Sequence, residues 1–344
     1  MNYITKHNLW LRGILMSIYF SWLPFLAVAD LAPTQNIPHQ DQLTDPTFRQ
    51  IIKNYQSTSG NKWVNSMHNL LDQDVVLHHW DGKQTTPIRG VNAVSAYLNE
   101  EVNHLKNLQK NIGRFMLAGG GIGGSLTPYN STIVLFYQAS AHSTDHPSKW
   151  VWAGNDIITI SHGKIIDWRI QEDTNMKFVV RPAQIHIERE YAIIDKYWQP
   201  ISITNNLVGM SYLLDLKRTV MPTAERGKLL LSRMDESIEQ STWEPDNILF
   251  LQGKNTVKQL FFDGLISVLP DFYENVEQIL VSGNAFIMIQ NPSGTQPLSN
   301  GTNHRAWYNC DIYFFNGPNI NALLFQRDTL MDIVEEAKGN KKTK

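Results

Sequence analysis

The stretch that decides the fold runs from Leu269 to Thr295 and reads LPDFYENVEQILVSGNAFIMIQNPSGT. The pair Pro270-Asp271 predicts the end of a helix, because proline interrupts the helical hydrogen-bond ladder and the pair favours a turn. Two β-strands are predicted next, joined at Gly283-Asn284, a pair suited to the positive φ angles of a tight hairpin. The stretch therefore predicts a helix, a turn and a hairpin that closes at Gly294-Thr295.

This order of helix, Pro-Asp, strand, Gly-Asn, strand and Gly-Thr resembles SnoaL-like proteins of the nuclear-transport-factor-like superfamily. The resemblance implies a curved sheet that wraps against helices to form a cone with an apolar pocket. It leaves the reaction open, because this superfamily includes binding proteins, enzymes and scaffolds.

Length and composition narrow the class of protein. The chain has 344 residues, of which 42% are hydrophobic and 18% charged, so it is long enough for two domains. The formal net charge is −2, and the only basic cluster, Lys341-Lys342 with Lys344, lies at the C-terminal end, which argues against a nucleic-acid partner. Cys310 is the only cysteine, so internal disulfides and a multi-cysteine zinc site are excluded.

The first 29 residues have the pattern of a signal peptide. Lys6 and Arg12 form a basic region, Gly13 to Leu26 is mostly apolar, and Ala27-Val28-Ala29 is a small-x-small cleavage site. The apolar run is shorter than the ~20 residues that span a bilayer, so we expect cleavage and no membrane association afterwards. This predicts a periplasmic or secreted protein.

The chain repeats one order of elements, with helices first and a long β-rich part after them. Gly90 to Val94 aligns with Gly253 to Val257, and Trp152 to Ile157 aligns with Trp307 to Ile312. We therefore predict an α+β fold of two tandem cone-like domains, each with N-terminal helices packed on a curved antiparallel sheet. The predicted boundaries are a flexible lead-in at 30–45, SnoaL-like domain 1 at 46–177, a linker with a helical segment at 178–222, SnoaL-like domain 2 at 223–335, and a disordered tail at 336–344.

The first copy is the better candidate for a working site on sequence grounds. It ends on Gly163-Lys164-Ile165, Trp168 and Asp173, which resembles the Gly-Lys-Ile, Trp and Asp close of SnoaL-like domains. In such folds the last strand lines the pocket. The second copy keeps the central Pro-Asp, Gly-Asn and Gly-Thr signature but has a poorer last strand at 320–324.

Three residues of the first copy are candidate catalytic groups. Alternation along the last strand predicts that Arg169 and Asp173 share a face, where an arginine can keep carboxylates ionised for proton transfer. Epoxide hydrolases of this superfamily resemble that picture, with an Asp-Arg-Asp set around a water; the alternative is an exposed face with an ordinary ion pair. His78 is the third candidate, as an acid or base in an apolar cone, or else a strand-end histidine bonded to backbone or water.

Neither a metal nor a cofactor is expected. His142, Asp145 and His146 lie in a predicted hairpin loop, where their spacing carries no metal-ligand geometry. The glycines at 119–124 match a dinucleotide-binding pattern, but they lack the strand before and the helix after that such a site needs.

Aromatic residues of the first copy are candidates for a ligand-binding lining, although an α+β core uses the same residue types: Tyr55, Trp80, Tyr97, Tyr137 and Trp152. Three functions stay open. The first is a pocket protein that binds a small apolar molecule without turnover. The second is an isomerase, cyclase or epoxide-hydrolase-type enzyme that uses Asp173 or His78, and the third is a scaffold that self-associates through its sheet faces.

Overall fold

A computed structural model of the chain describes residues 45–57, 59–79, 87–120, 130–199, 206–298 and 301–328. The predicted signal peptide, the disordered tail and Trp80 lie outside the described residues, as does the predicted lead-in except for Asp45. Within the described ranges, no helix combines the length and the apolar character needed to cross a membrane.

The first half begins with helices and ends with a long β-rich part. Its helices are α1 (Pro46–Ser57), α2 (Gly60–His68) and α3 (Val91–His104), followed after the strands by a short π-helix (Met176–Val180). Its strands are β1 (Leu71–His78), β2 (Ile88–Arg89), β3 (Lys106–Gly120), β4 (Asn130–His142), β5 (Trp150–Ser161) and β6 (Lys164–Glu172).

The second half repeats this order after a connecting helix, α4 (Ile187–Tyr197). Its helices are α5 (Asn206–Arg218), α6 (Thr223–Ser232) and a segment made of α7 (Lys254–Val257), a π-helix (Lys258–Phe262) and α8 (Asp263–Val268). Its strands are β7 (Met234–Glu244), β8 (Asn247–Gln252), β9 (Tyr273–Ser282), β10 (Ala285–Leu298), β11 (Gly301–Ala306), β12 (Asn309–Asn316) and β13 (Asn319–Arg327).

The predicted α+β class and the predicted helix and hairpin around Pro270 and Gly283 are confirmed. Gly283 has a φ of 58° at the β9–β10 turn, the region that glycine adopts without strain. Helix α5 lies inside the stretch predicted as the linker, yet it occupies in the second half the place of α1 in the first. The domain boundaries themselves stay a prediction.

The described strands form one 13-stranded sheet, in the order β2-β1-β6-β5-β4-β3-β9-β10-β12-β13-β7-β8, with β11 beside β10. The two halves join at β3 and β9, where Gly119 and Gly120 pair with Val281 and Leu280. The pairing is antiparallel except between β1 and β6 and between β13 and β7, which are parallel. The prediction of purely antiparallel sheets is thus corrected, because the sheet is mixed. The last strand of each half lies parallel to the first strand, and a long crossover connects such a pair.

Hydrogen-bond register places the aligned motifs in corresponding positions. Trp152 pairs with Ala139 in the first half. At the corresponding position of the second half, the Trp307 N–H donates to the Pro292 carbonyl. Asp156 and Asp311 lie four residues further along, on β5 and β12. The two aligned tryptophans and the two aligned aspartates therefore occupy matching register positions in the sheet.

Each half-sheet has two buried faces. On β10 and β12, Met288 and Tyr313 pack with the helices of their own half, whereas Ile287 and Ile312 join a core shared with the first half. The shared face is also polar in places, since Asn155 Nδ2 donates to Gln326 Oε1 at 2.6 Å. We call the helix-covered interior of each half its cone; the opposite faces of the two half-sheets meet within the chain.

Candidate functional site in the second cone

The first cone contains a buried set of polar side chains that bind one another. The Tyr137 hydroxyl lies 2.8 Å from carboxylate oxygens of Asp156 and Glu172 and accepts a hydrogen bond from Lys110 at 3.0 Å. The Tyr55 hydroxyl on α1 donates to Asp156, and Lys110 Nζ lies 3.1 Å from Glu172 Oε1. Five elements of the first half therefore send polar groups to one point.

Opposite charges balance this set. Lys177, just after β6, lies 2.5 Å from Glu172 Oε2 and also binds Glu101 of α3. Burial disfavours the charged form of Lys110, but the neighbouring Asp156 and Glu172 outweigh that cost and raise its pKa. Burial likewise works against the charge of Glu172, yet the two lysines lower its pKa. The buried polar side chains of the first cone thus bind one another, with two lysines among the carboxylates.

The inner face of the last strand carries Glu172, which sequence reasoning missed. Trp168 faces the inside, with its ring 6.0 Å from that of Trp63 on α2, and alternation continues from Trp168 to Glu172. The face of β6 that carries Arg169, which the sequence suggested as catalytic, is therefore turned away from the cone. The sequence shows that side chains along this strand alternate between two faces. It does not show which of the two faces lies inside the cone.

The three candidate catalytic residues bind three different partners and form no common site. Asp173 is buried, and its Oδ1 accepts hydrogen bonds from the N–H groups of Asn175 and Met176 at 3.0 Å each. Arg169 Nη1 lies 3.0 Å from Glu277 Oε2 on β9. His78 Nε2 lies 3.1 Å from Asp167 Oδ2, and both side chains are partly exposed. Catalytic roles for them stay predictions, and each has a structural task.

The candidate ligand-binding aromatics also separate. Tyr55 and Tyr137 belong to the polar set of the first cone. Trp152 is fully buried, with Lys177 Nζ 5.5 Å from its ring. Tyr97 packs instead against His79, with ring centroids 4.2 Å apart. Trp80, as noted above, lies outside the described residues.

The second cone has a corresponding buried set with different residues. Lys217 of α5 binds Glu274 of β9 and lies 3.6 Å from Asp311 Oδ2 on β12. Gln290 Nε2 of β10 donates to Asp311 at 2.7 Å and to Glu274 at 3.2 Å. Arg226 Nη1 of α6 lies 3.7 Å from Glu274 Oε2. All five side chains are almost completely buried.

Smaller groups replace the aromatics that fill the first cone. Tyr137 lies opposite Gly154, and Gln290 lies opposite Asn309 at the same register. A Cβ at Gly154 would lie 2.5 Å from the Tyr137 ring, so a tyrosine fits only where its neighbour is glycine. With asparagine at 309, the second cone takes the slimmer glutamine instead.

A narrow cleft lies in the second cone, with room for about one water molecule. Its polar end consists of Lys217, Arg226 and Glu274. Its apolar walls come from α6, the π-helix, α8 and β13: Leu230, Phe262, Leu265 and Phe325. Burial and the negative charge of Glu274 raise the pKa of nearby Asp311 to about 7, although Lys217 acts in the opposite direction.

The described residues contain no cluster of His, Cys, Asp and Glu with the geometry of a metal site. In the predicted loop, Asp145 binds Arg181 at 3.0 Å, and His146 Nδ1 lies 3.0 Å from the Ser148 carbonyl oxygen.

No protein-family model matches the sequence, and no curated protein matches it. Among solved structures, a phenazine biosynthesis-related protein from Pseudomonas aeruginosa is 10% identical with a TM-score of 0.33, covering 39% of this chain and 86% of that one. A protein named as a SnoaL-like polyketide cyclase from Shewanella putrefaciens is 12% identical, with a TM-score of 0.33 and coverage of 40% and 98%.

An epoxide hydrolase from M. tuberculosis is 10% identical, with a TM-score of 0.31 and coverage of 40% and 93%. These matches cover 39% or 40% of this chain. Solved structures named as SnoaL-like or NTF2-like proteins are thus among those that the chain resembles.

Proposed function

We propose that this protein binds a small, mostly apolar molecule in the cleft of its second cone. The observation that carries the proposal is the cleft itself, which has apolar walls and a buried polar end at Lys217, Arg226 and Glu274. Ligand sites in proteins commonly combine apolar walls with a few convergent polar groups. The leader predicted at residues 1–29 supports a periplasmic or secreted location for this binding.

The contrast between the two cones supports the choice of the second. In the first cone, the Tyr137 hydroxyl, Asp156, Glu172 and the Lys110 amine are bound to one another, while Trp63 Nε1, Trp168 Nε1 and Glu101 Oε2 have no hydrogen-bond partner among the described residues. In the second, Glu274 Oε2 and Arg226 Nε have no hydrogen-bond partner among the described residues. Buried polar atoms in native proteins are almost always hydrogen-bonded, so an unpaired pair at a cleft favours an additional bound group.

The cleft must widen to admit a ligand. Only about 20 Å³ of it is wide enough for the centre of a water molecule, which corresponds to room for about one water. We propose that the helical segment 254–268 is the wall that moves, because it has a π-helical turn at Lys258–Phe262 and a half-buried residue, Leu265, at the cleft. Single π-helical turns interrupt helices frequently at functional sites.

An isomerase, cyclase or epoxide-hydrolase-type enzyme is the second candidate. The observation that favours it is Asp311, a fully buried carboxyl group in the same cone whose pKa is raised to about 7. A group with a pKa near the working pH suits proton transfer. Asp173 and His78 contribute less to this candidate, because they bind a helix terminus and Asp167.

A substitution that fills the cleft tests the proposal. We expect saturable binding of 2-naphthol, followed by its fluorescence, to the unmodified protein and to Leu260→Trp, because Leu260 is exposed and outside the cleft lining. Leu265→Trp should lose binding at least ~10-fold, because the indole occupies the cleft. Circular dichroism checks that both variants fold. Equal binding by both variants, or none by the unmodified protein, would contradict the proposal.

A further inference from the structure

We infer that the ligand carries a hydroxyl group that binds between Glu274 and Arg226 at the polar end of the cleft. This inference rests on the proposed function and adds the chemical class of the ligand. It starts from two buried atoms that the described residues leave without a hydrogen bond, Glu274 Oε2 and Arg226 Nε.

The Arg226 guanidinium is held rigidly by the end of α5. Its Nη1 donates to the carbonyls of Leu216 and Lys217 at 3.0 and 3.2 Å, and its Nη2 donates to the Thr219 carbonyl at 2.8 Å. These bonds use both terminal nitrogens of the guanidinium, so Nε–H is the donor left over. Lys217 in turn binds Glu274 Oε1 and leaves Oε2 as the acceptor left over.

The two atoms are close enough to share one partner. Arg226 Nη1 lies 3.7 Å from Glu274 Oε2, and Nε is bonded to the same carbon atom as Nη1, so Nε lies within about two bond lengths of an atom that already faces Oε2. Both residues line the cleft, and their side chains are 4% and 2% exposed. One atom that accepts from Nε–H and donates to Oε2 would satisfy both, and a hydroxyl oxygen does this.

Other ligand groups fit this pair less well. A carboxylate would accept from Arg226 but would meet the negative charge of Glu274. An ammonium group would donate to Glu274 but would meet the positive charges of Arg226 and Lys217. An ether or ketone oxygen has no proton for Oε2, which would stay buried and unsatisfied at a free-energy cost. The alcohol is thus the class that both atoms favour.

The first cone lacks this arrangement. The fourth residue of α2 in the first half is Trp63, whereas the fourth residue of the corresponding helix α6 is Arg226. Lys110 pairs with Ala139 of β4 in the first half. At the corresponding position of the second half, Glu274 pairs with Pro292 of β10. The proposed hydroxyl site therefore belongs to the second cone alone.

Four naphthalene derivatives of similar size separate these classes: 2-naphthol, 2-methoxynaphthalene, 2-methylnaphthalene and 2-naphthoate. We expect 2-naphthol to bind at least ~10-fold more tightly than each of the others, because hydrogen bonds to charged groups are the stronger kind. Equal binding of the naphthol and methyl compounds would overturn the hydroxyl site and leave the proposed function standing. Tightest binding of 2-naphthoate would overturn it in favour of an anion site, and binding of none would contradict the proposed function as well.

A variant locates the preference. Glu274→Gln keeps the shape of the side chain but loses the charged acceptor, so the ~10-fold preference for 2-naphthol should fall below ~3-fold. Its matched control is Glu277→Gln on the same strand, which pairs with Arg169 away from the cleft and should keep the preference. An unchanged preference in a folded Glu274→Gln protein would overturn the inference. If that variant does not fold, the comparison of the four compounds on the unmodified protein still decides.

Discussion

Glu190 of α4 is a buried carboxyl group in the shared core, and none of the described residues forms a salt bridge with it. It accepts hydrogen bonds from Trp243 Nε1 at 3.0 Å, from Gln326 and from Ser241. Burial disfavours its charged form and raises its pKa from 4.5 to about 7, although these donors act in the opposite direction. A single side chain therefore makes the contact between the two halves sensitive to pH.

The sign of this effect predicts lower stability at higher pH. The folded pKa of Glu190 lies above the unfolded value, so its contribution is fully present below about pH 4.5 and is lost as pH rises through about 7. We expect the Glu190 contribution to fall by ~3 kcal/mol between pH 4 and pH 8. Asp311 is raised to about 7 and acts in the same direction.

Urea unfolding of Glu190→Gln at the two pH values measures this contribution. The variant should lose the part of the pH dependence that Glu190 contributes, because an amide has no proton to lose, whereas Asp156 and Asp311 still titrate. Glu188→Gln on the same helix is the control, since its carboxylate is exposed beside His186. A Glu190→Gln protein with the same pH dependence as the unmodified one would show that Glu190 is ionised in the folded state.

At the scale of elements, Asp173 links the last strand of the first half to the helical turn that follows. Its side chain accepts hydrogen bonds from the second and third residues of the turn, Asn175 and Met176, which is the geometry of a helix N-cap. Its own N–H donates to the Ala153 carbonyl, and Asp328 N–H donates to Tyr308 in the same place of the second half. The acid of the SnoaL-like ending therefore has a clear structural role.

Replacement of Asp173 separates the cap from a catalytic role. We expect Asp173→Ala to lower the free energy of unfolding by ~1–2 kcal/mol, and Asp173→Asn to lower it by less, because an asparagine oxygen can still accept both N–H groups. Urea midpoints measure the two losses, with the part-exposed Asp167→Asn as control. Full stability in Asp173→Ala would contradict the capping role.

At the scale of the whole molecule, each half has a buried set of acidic and basic side chains, and the two sets differ in their residues. The first cone stabilises the chain through Lys110, which lies within 3.8 Å of Asp156 and 3.1 Å of Glu172. The second cone keeps a cleft at the same place. A two-cone chain can use one interior as core and keep the other for binding.

Loss of the central cation should be costly in the first cone. Lys110→Met leaves Asp156 without its cation and Glu172 with Lys177 alone, so we expect a loss of ~3–5 kcal/mol in the free energy of unfolding. Lys106→Met on the same strand is exposed and should change stability little. Thermal unfolding compares the two. A loss below ~1 kcal/mol for Lys110→Met would show that the ion cluster does not stabilise the fold.

By itself the sequence determined the local elements and their repetition. Pro270-Asp271, Gly283-Asn284 and the spacing from Trp152 to Asp156 act through backbone geometry and short-range periodicity, which a single sequence carries. The α+β class and the paired register of the two halves follow from those signals.

Only the tertiary structure decided which cone contains a cleft and which polar side chains contact one another. Glu172 meets Lys110 across 62 positions of sequence, and Arg226 meets Glu274 across 48. Such meetings depend on which face of each strand the helices cover, and alternation alone gives two equivalent faces. The expectation that the first copy holds the working site rested on its last strand, whereas the space in each cone depends on whether Tyr137 or Gln290 fills its centre.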